Sequence, residues 1–217
     1  MLMYTSLSQD SILLGGLLGY LIGSIPFAYI VMRRKSGIDI RKHGSGNVGA
    51  LNAFEVSGAK SIGQTVLALD MLKGFLPVFI FELLGDSSSL IVLIPALVLG
   101  HCYPVWLGFR GGRGLATAAG ALLLVSPGVV VVWGVVYLLG RRMQDDVHFA
   151  SVLATCVALI LLLLIPVEMI SSATLPFSGL GQLGAQLVLS ISLALLIILS
   201  RLTGPFWAFV RQRNSAE

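Results

Sequence analysis

Residues 114–140 read GLATAAGALLLVSPGVVVVWGVVYLLG, and the way this stretch divides decides the fold. Taken whole, it is one apolar helix. Broken at Ser126-Pro127-Gly128, it is two short helices that run up and back. Proline disfavours helix at the residue before it, and glycine weakens helix further. Working outward, clear apolar spans occupy residues 11–32, 61–84, 90–107, 149–166 and 183–202. The unbroken reading therefore gives six spans and the broken one seven.

Charge chooses between them. With six spans, Arg141, Arg142, Arg201, Arg211 and Arg213 fall on the outer side, five of the 14 Lys and Arg residues. With seven, the outer segments 1–10, 85–89, 126–128 and 167–182 contain no Lys or Arg. Basic residues collect on the cytosolic side of membrane proteins. The expectation is an all-α polytopic membrane protein, a seven-helix bundle with its N-terminus outside and C-terminus inside. Arms of 12 or 13 residues reach about 20 Å, short of a hydrocarbon core of about 30 Å. The pair is expected inside the bundle, or beside a thinned membrane.

Composition agrees. The 217 residues are 56% hydrophobic and 11% charged, with mean hydropathy +0.94, too apolar for a soluble domain of this length. Strands alternating with turns do not occur, which argues against a β-barrel, and nothing points to a nucleic-acid partner. Cys102 and Cys156 form neither a disulfide framework nor a metal cluster. Residues 1–10 lack a basic n-region, so the first span, followed at once by Arg33, Arg34 and Lys35, reads as an uncleaved helix. Residues 1–217 read as one integral membrane domain. Its cytosolic parts are loops near 33–60, 108–114 and 141–148 and a tail at 203–217.

Two of those loops carry candidate chemistry. The first contains DIRKHGSGNVGALN, residues 39–52. Gly44, Gly46 and Gly49 form a GxGxxG pattern, but it follows a membrane helix rather than a strand, so a dinucleotide fold is excluded. Glycine backbone at a helix start still suits an anion. Ser45 and Asn47 add side-chain hydrogen bonds, and Arg41 offers a bidentate fork. The second loop places Arg110, Gly111, Gly112, Arg113 and Gly114 before a helix starting near Leu115, with Thr117 in its first turn. Two glycine nests on one face suit two phosphates, or one gripped from both sides. The third loop holds Asp145, Asp146 and His148, a set better read as solvated than as metal ligands, so no metal and no cofactor is expected.

Within the spans, Asp70 and Lys73 stand three apart on one helix face and are expected to pair. Ser24 precedes Pro26, where a kink should turn it toward the interior. His101 suits packing or function equally. No His is followed by Asp four or five residues later, and no Ser–His–Asp order stands out. A transferase built this way would work by positioning and charge neutralisation.

Together these residues resemble the PlsY family, the bacterial acyl-phosphate:glycerol-3-phosphate acyltransferases. The similarity runs through Gly23-Ser24-Ile25-Pro26, Asp39-Ile40-Arg41-Lys42, Gly44 to Asn52, and Leu69-Asp70-Met71-Leu72-Lys73-Gly74. It continues through Gly100-His101-Cys102-Tyr103-Pro104-Val105-Trp106 and Gly111 to Thr117, ending at Ser126-Pro127. The resemblance implies acyl transfer from a fatty acyl phosphate to the 1-hydroxyl of glycerol 3-phosphate, giving lysophosphatidic acid and phosphate. It implies a bacterial inner-membrane location, a cytosolic active face, membrane-lipid surroundings and a soluble enzyme supplying the acyl phosphate. Arg41, Ser45 and Asn47 would bind phosphate and orient the reactants. Gly111, Gly112 and Arg113 would hold glycerol 3-phosphate. Ser24, Asn52, Asp70, Lys73, His101, Thr117 and His148 would support them. Arg113 stands where the family usually has Lys, Leu51 where it has Thr, and His148 at what looks like a Ser position. The family's basic tail, with a His-Arg-x-Asn core and a late Glu, has no equivalent in SRLTGPFWAFVRQRNSAE.

Overall fold

The computed structural model describes residues 9–84, 86–166 and 184–214. The segments expected outside at 1–8 and 167–182, and the last three residues of the tail, lie outside the described residues. The described residues are helical, in the order α1 (Gln9–Gly23), α2 (Phe27–Ser36), α3 (Ala50–Ser57), α4 (Lys60–Leu83), α5 (Leu90–Cys102), α6 (Leu115–Val125), α7 (Pro127–Met143), α8 (Val147–Leu164) and α9 (Gly184–Asn214). Among them, 10–36, 90–107, 147–164 and 184–211 are long and apolar enough to cross a membrane. The 24-residue α4 carries Lys60, Asp70, Lys73 and Glu82.

The stretch 114–140 is broken where the sequence suggests. Ser126 leaves the helical region at φ −152°, and Pro127 opens α7, where its missing N–H costs nothing. The arms are unequal: α6 has 11 residues and α7 has 17, about 16 and 25 Å at the helical rise. Arg141 and Arg142 belong to the last turn of α7, so the third loop is shorter than expected. The first span is likewise divided at Ser24–Pro26, and the first loop contains α3. The tail read as loop from residue 203 is helical to Asn214.

Small residues let the backbones meet. A Cβ on Gly74 would lie 2.1 Å from the Thr117 carbonyl oxygen, and one on Gly120 2.0 Å from that of Met71. That closeness brings α4 against α6. Around them α1 packs on α5, α7 on α8, and α9 on α5 and α8. The main core joins Leu93, Leu97, Leu122, Ile191 and Ile198, whereas Leu13, Leu84, Leu138 and Leu164 are exposed, as suits a lipid-facing surface. A smaller core of Met32, Ile40, Val48, Ala53, Val66 and Leu107 seats the first loop on α2, α3 and α4.

A candidate active site where three loops meet the last helix

One side chain organises the first loop. Asn52, buried in the first turn of α3, accepts the Ser45 N–H at 3.0 Å. Its amide nitrogen faces the carbonyls of Asn47 at 2.9 Å, His43 at 3.2 Å and Ile40 at 3.4 Å. Gly44 lies beside it at φ +57°, where an added Cβ would stand 2.3 Å from the Asn52 Oδ1. Only glycine fits this backbone and this space.

The structure reassigns several residues. Arg41 does not face the cavity described below; its Nε and Nη2 grip Asp39 at 2.9 and 2.7 Å, and its guanidinium lies 4.9 Å over Tyr29. The same hydrogen bonds hold the Asp39 carboxyl down at about 2. In the second loop the Gly111 N–H donates to the Cys102 carbonyl and the Gly112 N–H to that of His101, both at 3.1 Å. Those two donors are taken, so Gly111 and Gly112 do not offer their N–H groups to an anion. The glycines permit close contact instead: a Cβ on Gly111 would sit 2.1 Å from the His101 carbonyl oxygen, and one on Gly112 2.1 Å from His101 Nε2. In the third loop Asp146 caps α8 through the Phe149 N–H at 2.6 Å, and Asp145 pairs with Arg141. Among the described residues no three His, Cys, Asp or Glu side chains are grouped to hold a metal.

These loops enclose, with the last helix, a cavity of about 750 Å³. Ser45, Gly46 and Asn47 line it from the first loop, Arg110, Gly111 and Arg113 from the second, and Asp146 and His148 from the third. Ser200, Arg201 and Gly204 complete the wall from α9. Among the described residues, three guanidinium groups and one carboxylate line this cavity, which suits it to anions. Burial lowers the pKa of Arg113, with the Glu55 and Asp146 carboxylates opposing that shift; the group stays cationic at neutral pH.

Beneath the second loop lies a buried polar cluster. Lys73 Nζ is 2.9 Å from Asp70 Oδ1 and donates to the Ile25 carbonyl at 2.8 Å. His101 Nδ1 lies 3.5 Å from the same carboxylate oxygen and 3.1 Å from Thr117 Oγ1. The expected Asp70–Lys73 pair is present, and it has a third partner that spacing alone did not show. Ser24 is fully buried, as its place before Pro26 suggests. It joins Asp70, Lys73, His101 and Gly111 around a water-sized pocket of about 10 Å³. Arg201 escaped the sequence reading except as a charge to be counted. The available signal was a single cation set between apolar stretches, since no other Lys or Arg occurs between Arg142 and Arg211.

A family profile of glycerol-3-phosphate acyltransferase matches residues 13–203. The chain belongs to the glycerol-3-phosphate acyltransferase family. The resemblance read from the loop and helix motifs is thereby borne out, and the match runs through α9 as far as the Arg201 turn. A glycerol-3-phosphate acyltransferase of Myxococcus xanthus is 48% identical over 124 residues, 56% of this chain. The chain spans 64% of that relative's length. Glycerol-3-phosphate acyltransferase 2 of Thermotoga maritima is 40% identical over 67% of this chain and 74% of its own. The fold matches PlsY, an integral membrane glycerol 3-phosphate acyltransferase solved in a glycerol 3-phosphate form, with TM-score 0.75, 33% identity and 94% of each chain covered. A second PlsY structure, the lysophosphatidic acid form, matches with TM-score 0.74 and 32% identity. This acyltransferase-family chain is therefore a multi-pass membrane protein.

Proposed function

We propose that this family member transfers a fatty acyl group from an acyl phosphate to the 1-hydroxyl of glycerol 3-phosphate, releasing lysophosphatidic acid and phosphate. The carrying observation is that a cationic cavity and an apolar groove lie on either side of one small buried polar pocket. The cationic cavity shares Gly111 with the buried polar pocket. That pocket shares Ile25, Phe27 and Lys73 with an apolar groove of about 450 Å³ between α1, α2 and α4. Leu18, Ile22, Leu69, Leu72 and Leu76 line the groove. A reactant with an acyl chain and a phosphate needs both spaces, and their junction is where its carbonyl would lie.

The chemistry follows from what surrounds that junction. Arg110 and Arg113 neutralise phosphate charge, while Ser45 and Asn47 orient the reactants. The acceptor oxygen attacks the acyl carbonyl carbon, the bond from that carbon to the phosphate oxygen breaks, and the hydroxyl proton leaves on the released phosphate. The donor is already activated, so bringing the hydroxyl to the carbonyl removes much of the barrier. Neither a metal nor a cofactor is required by this route. The absence of Lys and Arg from the expected outer segments supports seven crossings with the cavity facing the cytosol of the bacterial inner membrane. Acyl phosphate would reach it there from a soluble enzyme.

The test is product formation by detergent-purified protein given palmitoyl phosphate and labelled glycerol 3-phosphate, with palmitoyl-CoA in a parallel reaction. Lysophosphatidic acid is expected from the acyl phosphate alone. No product from folded protein, or product from the thioester alone, would overturn the reading.

A further inference from the structure

We propose that His148, at the head of α8, is a general base for the reaction: it takes the proton from the acceptor hydroxyl and passes it to the departing phosphate. The inference rests on the acyl-transfer reading for the identity of the reactants. The three histidines of the chain are placed very differently. His43 Nδ1 lies 2.9 Å from the Asp39 carbonyl, and His101 sits between Asp70 and Thr117 in the buried cluster. His148 lines the cavity beside Ser45, Asn47 and Arg113. No hydrogen bond joins either of its ring nitrogens to another described residue, and Nδ1 is buried as well. A neutral imidazole carries its proton on one nitrogen and a lone pair on the other. With no protein partner to fix the tautomer, the lone pair can stand on the nitrogen that meets the substrate.

The rest of the described cavity wall is poorly suited to the task. Its guanidinium groups are donors only, and its serine and asparagine side chains are not bases near neutral pH. Asp146, the one carboxylate on that wall, already accepts the Phe149 N–H as the cap of α8. His148 is the wall residue whose side chain changes charge near neutrality. The charged groups that act on its ring are Arg113 from the second loop, Asp146 at the head of its own helix and Glu55 from α3. The two carboxylates stabilise the imidazolium as it forms, and Arg113 favours its losing the proton again. The acceptor O–H bond breaks toward the ring nitrogen while the oxygen bonds to the acyl carbon. The bond from that carbon to the phosphate oxygen then breaks, and the imidazolium gives the proton to that oxygen. His148 is left neutral for the next turnover, and the products are the same lysophosphatidic acid and phosphate.

Steady-state kinetics of the purified protein test the proposal. His148→Gln keeps a hydrogen-bonding side chain but removes the base. Its kcat should fall about a hundredfold, with the KM for glycerol 3-phosphate within about threefold of wild type. The ratio of wild-type to variant kcat should fall at least about fivefold between pH 7.5 and pH 5.5, as protonation silences the wild-type ring. Titration of the substrate phosphates affects both proteins alike and leaves that ratio unchanged. A His148→Gln kcat within about threefold of wild type overturns the proposal. So does a lowered kcat whose ratio to wild type is constant with pH, or a raised KM with kcat unchanged. If His148→Gln does not fold, His148→Ser decides by the same criteria, serine being the residue type that the family resemblance places there. Wild type that makes no product from acyl phosphate overturns the acyl-transfer reading and this inference with it. Active wild type beside an equally active His148 variant overturns this inference alone.

Discussion

Arg41 and Arg113 look equivalent in the sequence, each a cation among glycines, and the structure gives them different work. Arg113 lines the cavity; Arg41 spends its fork on Asp39. We therefore expect Arg41→Ala and Asp39→Asn to lower kcat/KM by a similar factor, roughly tenfold, by loosening the first loop. The pair should not supply a pH dependence. Asp39 is held at about 2, below its ordinary 3.8, so its contribution is complete above the ordinary value and is lost only as pH falls through about 2. Rates of both variants at pH 6 and pH 8 check this: the ratio to wild type should be equal at the two. Wild-type activity in Asp39→Asn beside a dead Arg41→Ala would instead assign Arg41 to the substrate. The glycines were legible as special but not as to why. Spacing shows that Gly111 and Gly112 are small; only the fold shows that their N–H groups go to Cys102 and His101.

At the scale of elements, α4, α5 and α6 hold one another through buried polar atoms as well as through close backbones. The side chains of Asp70 and Lys73 are each 3% exposed, and His101 and Thr117 bring α5 and α6 to the same cluster. Removing one member of a buried ion pair strands the other, at a cost of about 3–5 kcal/mol, whereas removing both can be far milder. Asp70→Asn and Lys73→Met should each lower thermal stability in detergent by that order. The double variant should lose less than the sum. Strict additivity in thermal unfolding would show that the two do not act as a unit. The i, i+3 spacing disclosed this pair, but His101, about thirty residues away, joins it only through the packing of α5 on α4.

For the whole molecule, topology carries the function, since the cavity needs three loops and the end of α9 at one face. If α7 crosses the membrane, Gly128 and Met143 lie on opposite sides. In a Cys156→Ser background, with Cys102 buried, Gly128→Cys should react with an impermeant maleimide on intact cells. Met143→Cys should react only after permeabilisation. Labelling of both from one side would remove the seventh crossing.

What the sequence determined by itself was local and periodic. Long apolar runs declare membrane helices, Ser126-Pro127 declares the break between α6 and α7, and the distribution of Lys and Arg points to one face. The loop motifs named the family and half of the cavity wall: Ser45, Gly46, Asn47, Arg110, Gly111, Arg113 and His148 all line it. Folding decided which of those groups are free. Backbone donors of Gly111 and Gly112 were consumed by carbonyls at the end of α5, and Arg41 was consumed locally by Asp39, two residues before it. Arg201, some ninety residues from the second loop, was delivered to Gly111 and Gly112 by the packing of α9 against α5. Periodicity and motif record what a segment offers; hydrogen bonds between distant segments record what is already taken, and only the fold brings those segments together.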